Sequence, residues 1–475
     1  MSKLLKHSHD RLDMPFYLLL GLLFLLPIPL GANRPWAWSF FEICIFSLSI
    51  YTCIKMPSAR HVGLSKYMSM IYLWLGFIFL ALLQIIPLPE AIVSLLSPAS
   101  AELYSLSNAD TFYLSIDSGQ STINFIKLLS LFCLMTLIMQ LVNSEKRIKL
   151  LLLTMLAAGT FQALYGTITI LSGAQTSLVF DMDIKNRATG SFVYHNHFAN
   201  FLLLSLAAGI GLIVAALEKD KSMSKRDRLR TFIETLLGSK TIVRIGLAII
   251  VIGLVMSRSR MGNVAFFASV AIVGLIALML IRNRSNGLLI FVVSMFIIDL
   301  FIVSAYFGLE RVKDRLAQTS LANESRDEIV ADALPIIQDF PLFGSGAGSF
   351  YSIFPQYQQN YVSAFYDHAH NDYLQFVIEF GLVGAFILLA ICLFTFYKAF
   401  RAMYLRKNSI FKGTSFAVAV AVLGMCIHIS VDFPLQGYAN ACYFVVFIAL
   451  AMISNSLKLK KPSSRKSSDK PSSTL

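Results

Sequence analysis

Five of the eight histidines fall in three short polar segments: YHNH (194–197), DHAH (367–370) and HISVD (428–432). Each segment borders a long apolar run. A neutral imidazole takes up a proton near pH 7, so these positions suit general-base work. Arginines stand at similar borders. Arg187 lies in RATGSF, and Arg258 and Arg260 lie in SRSRMG. Guanidinium forks pair with phosphate oxygens, and a pyrophosphate-linked lipid would put its phosphates at that depth. Snorkelling to lipid headgroups is the plainer alternative. His195 and His197, as H-x-H, point to one face of an extended segment and could join His368 around a metal. No accompanying Asp/His set completes a ligand count, so the reading is of a site without metal. His368 reads as a residue that orients its neighbour. Glu379 is an acid inside an apolar run, a functional candidate or a supporting residue in equal measure. Tyr361, Phe365 and Tyr366 suit either stacking on sugar rings or anchoring at the interface.

The elements that must position these groups are membrane helices. Hydrophobic residues make up 56% of the 475, charged residues only 14%, and the mean hydropathy is +0.67. Soluble domains carry about 25% charged residues. Twelve apolar runs are long enough to cross a roughly 30 Å hydrocarbon core. They span about 14–31, 36–54, 67–86, 123–142, 150–172, 197–216, 241–257, 263–281, 287–307, 375–397, 413–431 and 438–455. The fold class is therefore all-α: a polytopic membrane protein with about 12 transmembrane helices. One membrane domain, residues 1–457, precedes a Lys/Ser-rich tail, 458–475, whose composition predicts disorder. The six cysteines all lie in apolar runs and read as small buried hydrophobes.

The formal charge of +13 is explained by topology. Cytoplasmic loops are enriched in Lys and Arg. With both termini inside, the basic tail and the segments KMPSARHVGLSK, SEKRIK, EKDKSMSKRDRLR and RNRS all fall in the cytoplasm. They need no partner beyond membrane lipids, and no nucleic acid. The histidine and arginine segments then face the opposite side. So do two loops. One, at 87–122, is acidic and otherwise plain. The other, at about 308–373, is long and aromatic. Within it, NESRDEIVADALPIIQDF reads as an amphipathic helix with Ile329, Ala333, Ile336 and Ile337 on one face, Asn323 or Ser325 as its cap, and Pro335 disturbing its last turns. It either lies on the membrane surface or packs on its own protein.

From His370 the chain reads HNDYLQFVIEFGLVG, which fits H-N-x9-G-x-x-G. Upstream stand PLFGSGAGSF (341–350), SRSRMG and RATGSFVYHNHFAN. Gly344, Gly346 and Gly348 alone are a weak turn signal and lack the Lys-Ser/Thr of a phosphate loop. In this order and spacing the four blocks resemble the O-antigen ligase and O-antigen polymerase superfamily, over roughly 187–384. The resemblance implies a metal-independent membrane glycosyltransferase of the bacterial inner membrane, with its site on the periplasmic side and no cofactor. The implied donor is a glycan on undecaprenyl pyrophosphate. The implied acceptor is lipid A–core or a growing polysaccharide. By matching position His370 takes the place of the catalytic base, and Arg187 and Arg260 take those of the pyrophosphate arginines. Arg258, Arg326, His368 and Asn371 are further substrate-binding candidates. Met261 departs from the Gly or Ala common after the second arginine. Ligase is the leading reading, polymerase the alternative, and a twelve-span transporter or flippase, for which Asp299 is the clearest midplane acid, the rival from another class.

Overall fold

The computed structural model describes residues 2–55, 64–177, 179–184, 186–219, 239–281, 286–290, 292–294, 297, 320–359 and 366–457. Among them the fold is all-helical, with two isolated β-bridges and no strand. The helices are α1 (Ser2–Leu25), α2 (Pro35–Lys55), α3 (Met68–Ile85), α4 (Glu90–Leu96), α5 (Pro98–Leu106), α6 (Ser118–Leu141), α7 (Glu145–Leu171) and α8 (His195–Lys219). After these come α9 (Ser239–Met256), α10 (Arg260–Leu280), α11 (Ser320–Asp339), α12 (Phe350–Ile353), α13 (Asp372–Leu405), α14 (Ser409–His428) and α15 (Tyr438–Ser456). Nine helices among the described residues are long and apolar enough to cross a membrane. Met14–Leu25 and Thr241–Met256 are shorter apolar helices. Eleven of the twelve apolar runs are thus helical. Most of the twelfth, 287–307, lies outside the described residues, as do Asp299, Tyr361, Phe365, the tail and most of the basic segments read as cytoplasmic.

Three helices form the centre. In α8, α14 and α15, 78%, 78% and 83% of the spanning window is buried, against 33% in α2 and α13. Small residues let the central backbones approach: a Cβ on Gly413 would meet the Gly211 carbonyl oxygen at 2.2 Å. Lipid tails are as apolar as leucine, so such close packing, rather than hydrophobicity, drives helix association in a bilayer.

α13 has 34 residues, about 51 Å at 1.5 Å per residue. It is broken at Gly381 (φ 65°, ψ −173°). The amides freed by the break are taken up by another segment: Leu382 donates to the Pro341 carbonyl at 2.8 Å and Val383 to that of Leu342 at 3.2 Å. The glycine-rich segment then runs along the half-helix 372–380. Ser345 N–H reaches the Ile378 carbonyl at 2.8 Å, and Gly346 N–H that of Glu379 at 3.1 Å. Gly344, Gly346 and Gly348 all have positive φ (75°, 115° and 73°). A Cβ on Gly344 would meet the Glu379 backbone at 2.4 Å, and one on Gly346 the Ser115 Oγ at 1.9 Å. The glycines are therefore required by close approach as well as by backbone hand. Gln84 of α3 clamps the junction. Its Nε2 donates to the carbonyls of Phe343 (2.7 Å) and Glu379 (2.8 Å), and its Oε1 accepts from Ala347 N–H at 3.1 Å.

The loop at 87–122 contributes more than its plain composition suggests. It forms α4 and α5, and Ile116 N–H pairs with the Ser345 carbonyl at 2.9 Å. Asp117 caps α6 through Gln120 N–H and accepts the Ser352 hydroxyl at 2.7 Å. α11 packs on its own protein: Ile329, Ala333 and Ile336 share a core with Phe340, Phe350, Phe354 and Ile378. Asn323 and Ser325 lie within this helix, which continues through Pro335 to Asp339.

Gly381→Ala is expected to lower stability by at least about 2 kcal/mol, because it combines a left-handed backbone with a clash against the Leu342 oxygen. Gly76→Ala in α3, where nothing lies within 4 Å of the added carbon, should be neutral or stabilising. Thermal unfolding of both variants in detergent checks the pair; equal melting temperatures would contradict the role given to Gly381.

Candidate active site

His370 stands immediately before α13, half-buried, with φ +49°. A positive φ on a bulky residue is strained and persists only where its surroundings fix it. They do so here. Asn371 caps the half-helix through Leu374 N–H at 3.2 Å. Asp372 N–H lies 3.0 Å from the Ile429 carbonyl and 3.2 Å from that of Asp432. The buried Asp372 carboxylate accepts from Leu435 N–H and Gln436 Nε2, both at 3.0 Å. The Asn371 Oδ1 and the Asp372 carboxylate thus hold the segments on either side of His370.

The residue at the middle of the site is Phe433. Its ring stacks on His368 (4.4 Å, 25°) and on Tyr194 (5.6 Å, 15°), and meets His370 (4.8 Å, 82°) and His197 (4.9 Å, 80°) edge to face. The three polar segments YHNH, DHAH and HISVD thus converge around one side chain. Tyr194 continues the series to His195 at 4.9 Å between centroids, and His195 Nε2 lies 3.1 Å from Arg187 Nη1. Guanidinium only donates, so His195 Nε2 accepts and its neutral form carries the proton on Nδ1. Asn196 Nδ2 donates to the Asp432 carboxylate and, at 2.9 Å, to the Tyr194 hydroxyl. Tyr366 sits edge-on to His370 at 6.1 Å.

Arg258 and Arg260 join this rim through the backbone. Ala188 N–H donates to the Met256 carbonyl at 3.0 Å, which ties the residue after Arg187 to the end of α9. Arg258 follows with φ +53°, and Ser259 caps α10, whose first residue is Arg260. Gly262 packs on Ala199 of α8, where a Cβ would lie 2.7 Å from the Ala199 Cβ. All three guanidinium-bearing residues are exposed. Arg326 belongs to α11, and its side chain lies outside the described residues.

His368 is 26% exposed. Burial pushes its imidazole below the ordinary range, against the opposing effects of Asp367 and of its bond to Gln375. Charging this ring becomes less favourable as it is covered, which suits a neutral ring stacked on Phe433. Its ring lies against Gln375 and Phe433. Among the described residues no three His, Cys, Asp or Glu side chains are grouped to hold a metal ion. His197 and His368 both lie against the Phe433 ring.

Phe433, Tyr194, Asn196, Asp432 and Gln375 were not singled out by sequence. Gln375 carried a usable signal, since it precedes Glu379 by one helical turn. Phe433 carried none beyond standing next to Asp432. Its removal should open the site: in Phe433→Ala, His368 and His197 should react with diethyl pyrocarbonate several-fold faster than in the wild type, and in Phe433→Leu much less so. Peptide mass spectrometry reads the rates. Unchanged reactivity in the alanine variant would mean that the ring does not shield the imidazoles.

Residues 245–389 match the sequence profile of the family described as O-antigen ligase. That stretch holds Arg258, Arg260, Arg326, His368, His370 and the break at Gly381. Arg187, His195 and Phe433 lie outside it. Comparison with curated proteins finds no match. At residues 245–389 the chain thus carries a domain of the O-antigen ligase family.

Proposed function

We propose that this chain is an O-antigen ligase-type glycosyltransferase of the bacterial inner membrane, with both termini in the cytoplasm and its site facing the periplasm. The observation that carries the reading is the unbroken series of contacts from His370 through Phe433, Tyr194 and His195 to Arg187. It links His370, the candidate proton acceptor, to Arg187, the candidate phosphate-binding group. The donor is a glycan on undecaprenyl pyrophosphate, and the acceptor is lipid A–core or a related sugar. The long loop and the rest of residues 1–457 act as one membrane-embedded transferase domain.

In this reading His370 takes the proton of an acceptor hydroxyl as its oxygen bonds to the anomeric carbon. The bond from that carbon to the pyrophosphate oxygen breaks, and undecaprenyl pyrophosphate leaves with the electron pair. Arg187 and Arg260 offset the charge that grows on it, with Arg258 at the same rim. The donor is already activated, so no nucleotide takes part. A single displacement inverts the anomeric configuration. The strained φ of His370 and Arg258 supports the assignment, because strain of this kind gathers at functional sites. A polymerase of the same superfamily would use identical groups and differ in its acceptor.

Purified protein in detergent, given lipid-linked glycan and acceptor, should form product with no membrane barrier present, which a transporter cannot do. His370→Ala should lower turnover by about 10²–10⁴-fold. Arg187→Lys and Arg260→Lys should each lower it by about 10²-fold, since an ammonium cannot reproduce the fork. Wild-type turnover in His370→Ala would remove the base from the mechanism, and normal turnover in both arginine variants would remove the clamp.

A further inference from the structure

Behind the histidines lies a second layer of polar groups that the proposed chemistry leaves unused. Glu379 is only 3% exposed and sits deep in α13. Its carboxylate accepts from Gln375 Nε2 at 2.8 Å and from the backbone N–H groups of Gly348 and Phe350. It therefore joins the half-helix of His370 to the glycine-rich segment and to the first turn of α12. Lys127 of α6, whose ammonium stands 3.8 Å over the Trp38 ring, is within its electrostatic reach. Gln375 faces the other way. Its Oε1 accepts from Ala369 N–H at 3.2 Å, and its amide lies 3.1–3.3 Å from His368 Nδ1. Ala369 is the residue between His368 and His370.

The polarity of this string is fixed at both ends. The Ala369 amide can only donate, and at the other end Glu379 Oε1 accepts from Gln375 Nε2. The Gln375 side chain is thus held in one orientation. Gly348 and Phe350 likewise require an acceptor. Burying a carboxylate in a bundle of apolar helices is unfavourable unless its oxygens are satisfied. An amide at position 379 would be cheaper to bury. It cannot accept from Gln375 and from the two backbone groups without turning an N–H toward another N–H. The requirement for two accepting oxygens explains why an acid stands here.

We infer that Glu379 and Gln375 are positioning residues, which hold the backbone at Ala369 and thereby aim His370 at the acceptor. The inference rests on the transferase reading above. Neither side chain touches substrate in this account, so binding should survive their alteration and turnover should not.

The test exchanges the two residues. Kinetics are measured in detergent with lipid-linked glycan, on protein selected as monodisperse. Glu379→Gln and Gln375→Glu should each lower kcat by about 10²-fold, the effect of a small misplacement of a catalytic group, with the donor KM within about threefold. The double exchange, Gln375→Glu with Glu379→Gln, keeps every donor opposite an acceptor with the string reversed. It should recover kcat to within about tenfold of the wild type. A residue of merely structural use would change the melting temperature and the amount of active protein without this split between kcat and KM. If Glu379→Gln does not fold, Gln375→Asn carries the test, because it withdraws the amide from Ala369 while leaving Gly348 and Phe350 on Glu379. Wild-type kcat in the single variants, or a double variant no better than the singles, overturns the inference and leaves the transferase reading standing. An inactive wild type overturns the transferase reading and this inference with it.

Discussion

One phenylalanine ring sets the spacing of the candidate active site. Phe433 occupies the gap between the segment before α13 and the segment entering α8, and four other rings lie 4.4–5.6 Å from its centroid. Aromatic pairs of this kind contribute about 0.5–1.5 kcal/mol each beyond the area they bury, and their stacked and edge-on geometries are directional. The imidazoles are therefore placed by packing as much as by hydrogen bonds. This matters at a membrane edge, where water competes for every polar contact and an apolar wedge does not yield to it.

The wedge works because the backbones around it are pinned. Asp372 holds the loop 434–436 from one side and Asp432 receives Asn196 from the other. Further along α13, the break at Gly381 lets the chain at 341–348 run beside the half-helix, with Gln84 bonded to the Glu379 carbonyl of the one and to Phe343 and Ala347 of the other. The H-N-x9-G-x-x-G spacing then has a physical reading. Nine residues of half-helix separate His370 and the Asn371 cap from the point where a second segment docks, and only glycine admits that segment's backbone.

Much of the architecture was legible in the sequence. Twelve apolar runs announced an all-helical membrane bundle, and eleven of them are apolar helices among the described residues. Position 370, the arginine borders and the glycine triplet could be picked out because residue type and spacing are local properties. Phe433, Gln84 and Ser115 could not. Each acts through a contact with a residue distant in the chain, and one phenylalanine of 38 has no local signature of being a hub. The two alternatives for α11 were equally open because amphipathicity states that an apolar face must be covered, and not by what. The loop at 87–122 looked plain because its work is done by backbone amides and by Asp117, which composition does not distinguish from solvated charge.

The most direct measurement is a structure of the chain bound to undecaprenyl pyrophosphate, the product that leaves the donor. The account predicts the pyrophosphate oxygens within hydrogen-bond distance of Arg187 and Arg260, with His370 facing the position that the anomeric carbon would occupy. A pyrophosphate bound away from the rim that joins Arg187 to His370 would contradict it.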